Sequence, residues 1–180
     1  MKTSEHLCDA LQSLLAPGFD ASKNDVIGHC ETTFKLLKSW GNNPDVCAAG
    51  LFKSVYSYAF TCHDPKPENR QRVQGLIGTE AERLVYLYTV VDRRLLIDSL
   101  ASRRAPQLRD AYLHQDIDIT STEQAALMEI HWASLFDSLK SPQTAETERF
   151  RQFSHLYRTA HLVSEGANRA FRTMYFSQLQ

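Results

Sequence analysis

The sequence has no excess of charge of either sign: across 180 residues, 20 Lys and Arg stand against 21 Asp and Glu, for a formal net charge of -1. A general field that would draw in nucleic acid or an anionic membrane is therefore absent, and neither is expected as a partner. Long apolar runs are also missing. The opening MKTSEHLCDALQSLLA has neither a basic leader nor a continuous apolar stretch, and the run from Leu84 to Val91 is far too short to cross a bilayer. A cytoplasmic location is the expectation. The 4 cysteines, Cys8, Cys30, Cys47 and Cys62, form no C-x-x-C pair and no dense framework, so free and mostly buried thiols are expected. There is no G-x-S-x-G elbow, no glycine-rich phosphate loop and no Cys-His pair at a recognised spacing, which argues against conventional nucleophilic hydrolysis. Internal repeats and low-complexity tracts are lacking too.

What is present is 43% hydrophobic and 23% charged residues, an ordinary balance for one domain with a real core, taken to span 1–180. Apolar residues recur at three and four positions almost throughout, which predicts an all-α helical bundle of about six to eight helices. Leu7, Ala10, Leu11, Leu14 and Leu15 make a first stripe, ended by Pro17-Gly18. A second helix is expected from His29 to Trp40, stopping at Gly41-Asn42-Asn43. Asn43 and Pro44 open a third, Asp45 to Tyr58, rich in small residues and so open to close approach. Thr61 to Asn69 reads as a loop and Arg70 to Leu76 as a short helix. Thr79-Glu80-Ala81-Glu82 has the form of a capping box, starting a long helix to about Ser102 that buries Leu95 and Leu96. Arg103 to Thr120 is expected to be irregular or weakly helical. A further helix starts at Thr122 and ends at Ser141-Pro142, and two more cover Glu146 to Val163 and Glu165 to Leu179.

Gly28-His29-Cys30, followed by Ala48-Ala49-Gly50-Leu51-Phe52-Lys53-Ser54, resembles the layout of HD domains, in which a histidine opens one helix and a His-Asp pair closes another. The pattern is similar to that of an uncharacterised group of short HD-like proteins, with Gly78-Thr79-Glu80-Ala81-Glu82-Arg83-Leu84-Val85 as the next matching stretch, and it runs from Gly28 to Leu139. The resemblance implies a metal held by two imidazoles and two carboxylates. Here Lys53-Ser54 stand where His-Asp would, and Ser134 stands at the last aspartate, so that only His29 remains of the implied set.

An ammonium has no lone pair at neutral pH and a serine hydroxyl is a weak neutral ligand, so Lys53, Ser54 and Ser134 suit a metal poorly. No metal or other cofactor is therefore expected. Lys53 could instead hold an anionic group where the metal sat, or act as base or nucleophile, with His29, Ser54 and Tyr56 as catalytic neighbours. His131, Trp132, Ser134 and Tyr88 are the candidate substrate-binding residues, for a ligand that is anionic or aromatic. The resulting expectation is a metal-independent small-molecule enzyme or binding protein, with a homodimer admitted. One alternative is a metal-dependent hydrolase or oxygenase (iron, manganese or zinc) with relocated ligands His29, His63 and His131 and a carboxylate from Asp64 or Asp92. Another is a pseudoenzyme interaction module with an exposed apolar patch around Phe171, Tyr175 and Phe176. For His29 alone, a residue at a helix start satisfying backbone groups is the plainer reading. The pairs Arg93-Arg94 and Arg103-Arg104 read either as an anion-binding rim or as solvated helix faces.

Overall fold

The computed structural model describes residues 4–14, 22–58, 65–140 and 145–177. The fold is all-α. Its helices are α1 (Ser4–Leu14), α2 (Ser22–Ser39), α3 (Pro44–Phe52), α4 (Val55–Tyr58), α5 (Pro67–Ile77), α6 (Thr79–Val90), α7 (Arg93–Ala101), α8 (Ser121–Lys140), α9 (Glu146–Thr159) and α10 (Glu165–Ser177). A 3-10 turn, Ala160–Leu162, joins the last two. The ends expected for the helices observed as α1 and α8, at Pro17-Gly18 and Ser141-Pro142, lie outside the described residues, as do Cys62, His63 and Asp64.

α2, α3, α6 and α8 form the central layer: α2 packs on α3 and α8, and α3 also on α6 and α8. α1 and α5 lie against α3, while α9 packs on α7 and α8, and α10 on α8. Their buried side chains make one continuous cluster, with Leu37, Ala49, Leu51, Phe52, Val85, Leu87, Ile130 and Trp132 fully enclosed. Among the described residues no helix is long and apolar enough to cross a membrane.

α3 starts as its sequence dictates. The Asn43 side chain accepts the Val46 N–H at 2.9 Å, and Pro44 takes the first turn, where no donor is required. At Gly50 a Cβ would stand 2.3 Å from Leu37 Cδ1, so this small residue is what brings α3 close to α2. The helix does not run on to Tyr58. It stops at Lys53, whose side chain turns inward, and α4 resumes at Val55, so that Val55 and Tyr56 are both buried.

The long helix expected from Thr79 to Ser102 is likewise two helices. Asp92 accepts the N–H groups of Arg94 and Leu95, at 2.9 and 3.1 Å, and this side-chain cap starts α7 afresh. The new register leaves Leu95 46% exposed and buries Leu96 and Ile97.

Thr79–Glu82 is not a capping box. Gly78, at φ +91°, holds the cap position without a side-chain bond, and Glu82 is drawn into the core. There it accepts from Tyr56 Oη at 2.5 Å, from Arg70 Nε and Nη2 at 2.8 Å each, and from Gln74 Nε2 at 3.0 Å. A buried carboxylate with four donors outweighs one helix-end bond. The reciprocal box stands instead at Thr120 and Glu123, each side chain accepting the other's N–H, at 3.1 and 2.7 Å.

Between α7 and α8 the chain is not helical. It makes a short antiparallel pairing of β1 (Arg109–Asp110) with β2 (Gln115–Asp116), in the register Arg109↔Asp116 and Asp110↔Gln115. Buried Asp110 organises the turn by accepting from Tyr86 Oη and from the N–H groups of Tyr112 and Leu113.

Candidate functional site

α2 begins at Ser22, so His29 lies two turns inside the helix, not at its start as the plainer reading had it. Its ring bonds side chains across the interface with α8. Nδ1 lies 2.6 Å from Asp137 Oδ2, and Nε2 lies 3.0 Å from Ser134 Oγ. Ser134 and Asp137 are three residues apart on α8 and so share its face toward α2. An ionised carboxylate can only accept, so Nδ1 carries the proton and the Nε2 lone pair faces the serine hydroxyl. The side chains of His29 and Asp137 are 30% and 26% exposed, which leaves the pair within reach of solvent.

Lys53 is buried at 5% exposure, its Nζ donating to Cys30 Sγ at 3.4 Å and its charge felt by His29. Burial pushes the His29 imidazole below its ordinary value, the Lys53 charge adds to that, and Asp137 opposes both. Burial also pushes the Lys53 ammonium down, against Cys30 and Asp137. Tyr88 completes the cluster, close enough to Ser134 to feel its hydroxyl. Its phenol is pushed up by burial, with Arg93 and Ser134 acting in the opposite sense. The Arg93 guanidinium lies 4.5 Å from the Tyr88 ring centroid and donates to the Tyr88 carbonyl at 2.7 Å.

Of the residues singled out from the sequence, His29, Lys53, Ser134 and Tyr88 come together. Ser54 borders Cys30 on the far side, at an apolar crevice of about 10 Å³ shared with Leu11, Val26 and Leu51. Tyr56 is committed to Glu82, and burial with that bond pushes its phenol well above the usual range. His131 turns away from this cluster to His155, the two Nε2 atoms 3.3 Å apart. Trp132 donates to Thr159 Oγ1 at 2.9 Å and packs on Phe136 and Phe171 in the core. Two members, Asp137 and Cys30, were not among the candidates. The signal for Asp137 was its place one turn after Ser134; that for Cys30 was adjacency to His29.

These residues do not fit the metal that the HD resemblance implies. Lys53 offers no lone pair, the Ser134 hydroxyl is engaged by His29, and Nδ1 of His29 is engaged by Asp137. Among the described residues no three His, Cys, Asp or Glu side chains are grouped to hold a metal ion. The relocated set fares no better: His131 and His29 have separate partners, Asp92 caps α7, and His63 and Asp64 lie outside the described residues. The apolar patch expected at the C-terminus is also smaller than supposed, because Phe171 is buried at 7%, while Tyr175 and Phe176 are 44% and 62% exposed.

Residues 10–93 match the model of a family described as a domain of unknown function (DUF6817). That stretch includes His29, Cys30, Lys53 and Tyr88 but not α8, which supplies Ser134 and Asp137. No curated protein and no solved structure matches the chain.

Proposed function

We propose that the chain is a metal-independent enzyme acting on a small molecule with an electrophilic carbonyl or phosphoryl group, and that its reactive centre is Ser134, His29 and Asp137. The observation that carries this is the unbroken contact from Ser134 Oγ to His29 Nε2 and from His29 Nδ1 to Asp137. Asp137 fixes the tautomer, His29 takes the serine proton, and the oxygen so freed attacks the substrate. The proton then passes from His29 to the leaving group, and water repeats the sequence to release the product. Lys53 supplies a buried positive charge beside His29 and Asp137, suited to a substrate that is anionic or becomes so. The absence of a G-x-S-x-G elbow is no obstacle, because such a triad is defined by geometry and recurs without a common sequence order.

An HD-like arrangement of the bundle belongs to the same reading. It is supported by the meeting of His29, Lys53 and Ser134, which the resemblance set at corresponding motif positions in three separate helical stretches. A cytoplasmic location, supported by the free thiols of Cys8, Cys30 and Cys47, is part of it. So is a small molecule as the partner, with no nucleic acid or membrane.

Hydrolysis of p-nitrophenyl acetate and p-nitrophenyl phosphate by the purified chain tests the reading. Turnover of either that falls by about 10²-fold or more in both Ser134→Ala and His29→Asn supports it. No turnover, or turnover unchanged in those variants, overturns it.

A further inference from the structure

A cavity of about 580 Å³ opens between α7 and α9, with His131 and Leu135 of α8 at its base. It is lined from the same stretch of α8 as the Ser134 cluster but by other residues, His131 and Leu135, and does not depend on the chemistry proposed there. Two helices contribute its cations. α7 offers Arg93 and Arg94 from its first turn, and α9 offers Arg151 and Arg158, seven residues apart and so on one face. Against these four guanidinium groups the lining holds a single carboxylate, Asp98.

α7 and α9 set their arginines, all exposed, around one concavity, so that an anion held there would meet guanidinium groups from both helices. Arg151 is offset by Glu148, at 2.7 Å, and Arg93 is held against Tyr88. Arg94 and Arg158 make no ion pair among the described residues. The imidazoles of His131 and His155 add no charge at neutral pH: burial pushes both down, His131 to about 3. Ile97, Leu135 and Phe150 give the same cavity an apolar side.

We propose that this cleft binds a small organic anion in which a phosphate-like group is joined to an apolar or aromatic body. The arginines clamp the anionic group, forked donors being matched to its oxygens, and the apolar side takes the remainder. Neither half of such a molecule binds well alone.

Isothermal titration of the intact chain with 1-naphthyl phosphate, 1-naphthol and inorganic phosphate tests this. 1-Naphthyl phosphate should bind saturably and about tenfold or more tighter than either other probe. The double variant Arg94→Glu/Arg158→Glu should weaken it by at least that factor, whereas Arg172→Glu on α10 should not. Arg94 and Arg158 are exposed, so circular dichroism of the double variant should match the parent. Three results would overturn the proposal: no saturable binding, equal affinity for 1-naphthol, or undiminished affinity in a folded double variant.

Discussion

His29 Nδ1 lies 2.6 Å from Asp137 Oδ2 across 108 residues of sequence, and this contact decides what the other ring nitrogen can do. With the carboxylate as acceptor, the tautomer is fixed and Nε2 is left as a base toward Ser134. Asp137→Asn removes that control. Nitrogen-15 chemical shifts should show His29 protonated on Nδ1 in the parent and a mixture of tautomers in the variant, with ester turnover falling about 10²-fold or more. A ring protonated on Nε2 in the parent would contradict the assignment.

Activity should depend on neutral His29. Burial and the Lys53 charge hold this imidazole below its ordinary 6.5, so turnover should rise with pH to a midpoint below that value and then level off. Lys53→Met removes a neighbouring cation and should move the midpoint to higher pH. A pH-rate profile unchanged in the variant would separate Lys53 from the site.

Glu82 is a structural carboxylate, and its loss should be felt in stability alone. Burial pushes its carboxyl up, but bonds from Arg70, Tyr56 and Gln74 more than reverse this and keep it ionised. Glu82→Gln leaves Arg70 without its charge partner and should cost about 3–5 kcal/mol in urea unfolding at pH 7. A cost below about 1 kcal/mol would mean that Arg70 finds another partner.

His131 should make the fold acid-sensitive. Its imidazole is pushed down to about 3 by burial, with His155 and Arg93 adding to the effect. The unfolded chain therefore binds a proton near 6.5 that the folded chain refuses, and stability should fall as pH drops from about 6.5 toward 3. The loss should be on the order of a few kcal/mol. His131→Asn should flatten that part of the profile, and an equally steep slope in the variant would place the acid sensitivity elsewhere.

The helical period of the apolar residues was enough to show the all-α class and most of the helices. The interruptions were harder to see, because they are set by side chains acting on backbone or on distant partners. Asp92 caps a new helix just after another has ended, and Lys53, at the end of α3, turns inward to Cys30. Glu82, in a stretch with the form of a helix start, is taken by Arg70 twelve residues earlier. At the site, the motif positions led to His29, Lys53 and Ser134. The role of Asp137 depends on the crossing of α2 over α8, which no local pattern encodes. Tyr56, Trp132 and His131 were drawn off by partners of their own, Glu82, Thr159 and His155.

The most direct test of the central claim is covalent. The chain would be incubated with a small alkyl fluorophosphonate at pH 7.5, followed by intact-mass and peptide mass spectrometry. An activated serine displaces fluoride, gains the phosphonyl group and gives its proton to the adjacent base. The account expects one adduct, on Ser134, that is lost in His29→Asn and slowed in Asp137→Asn. An unlabelled chain, or an adduct on Ser134 that forms equally fast without His29, would contradict it.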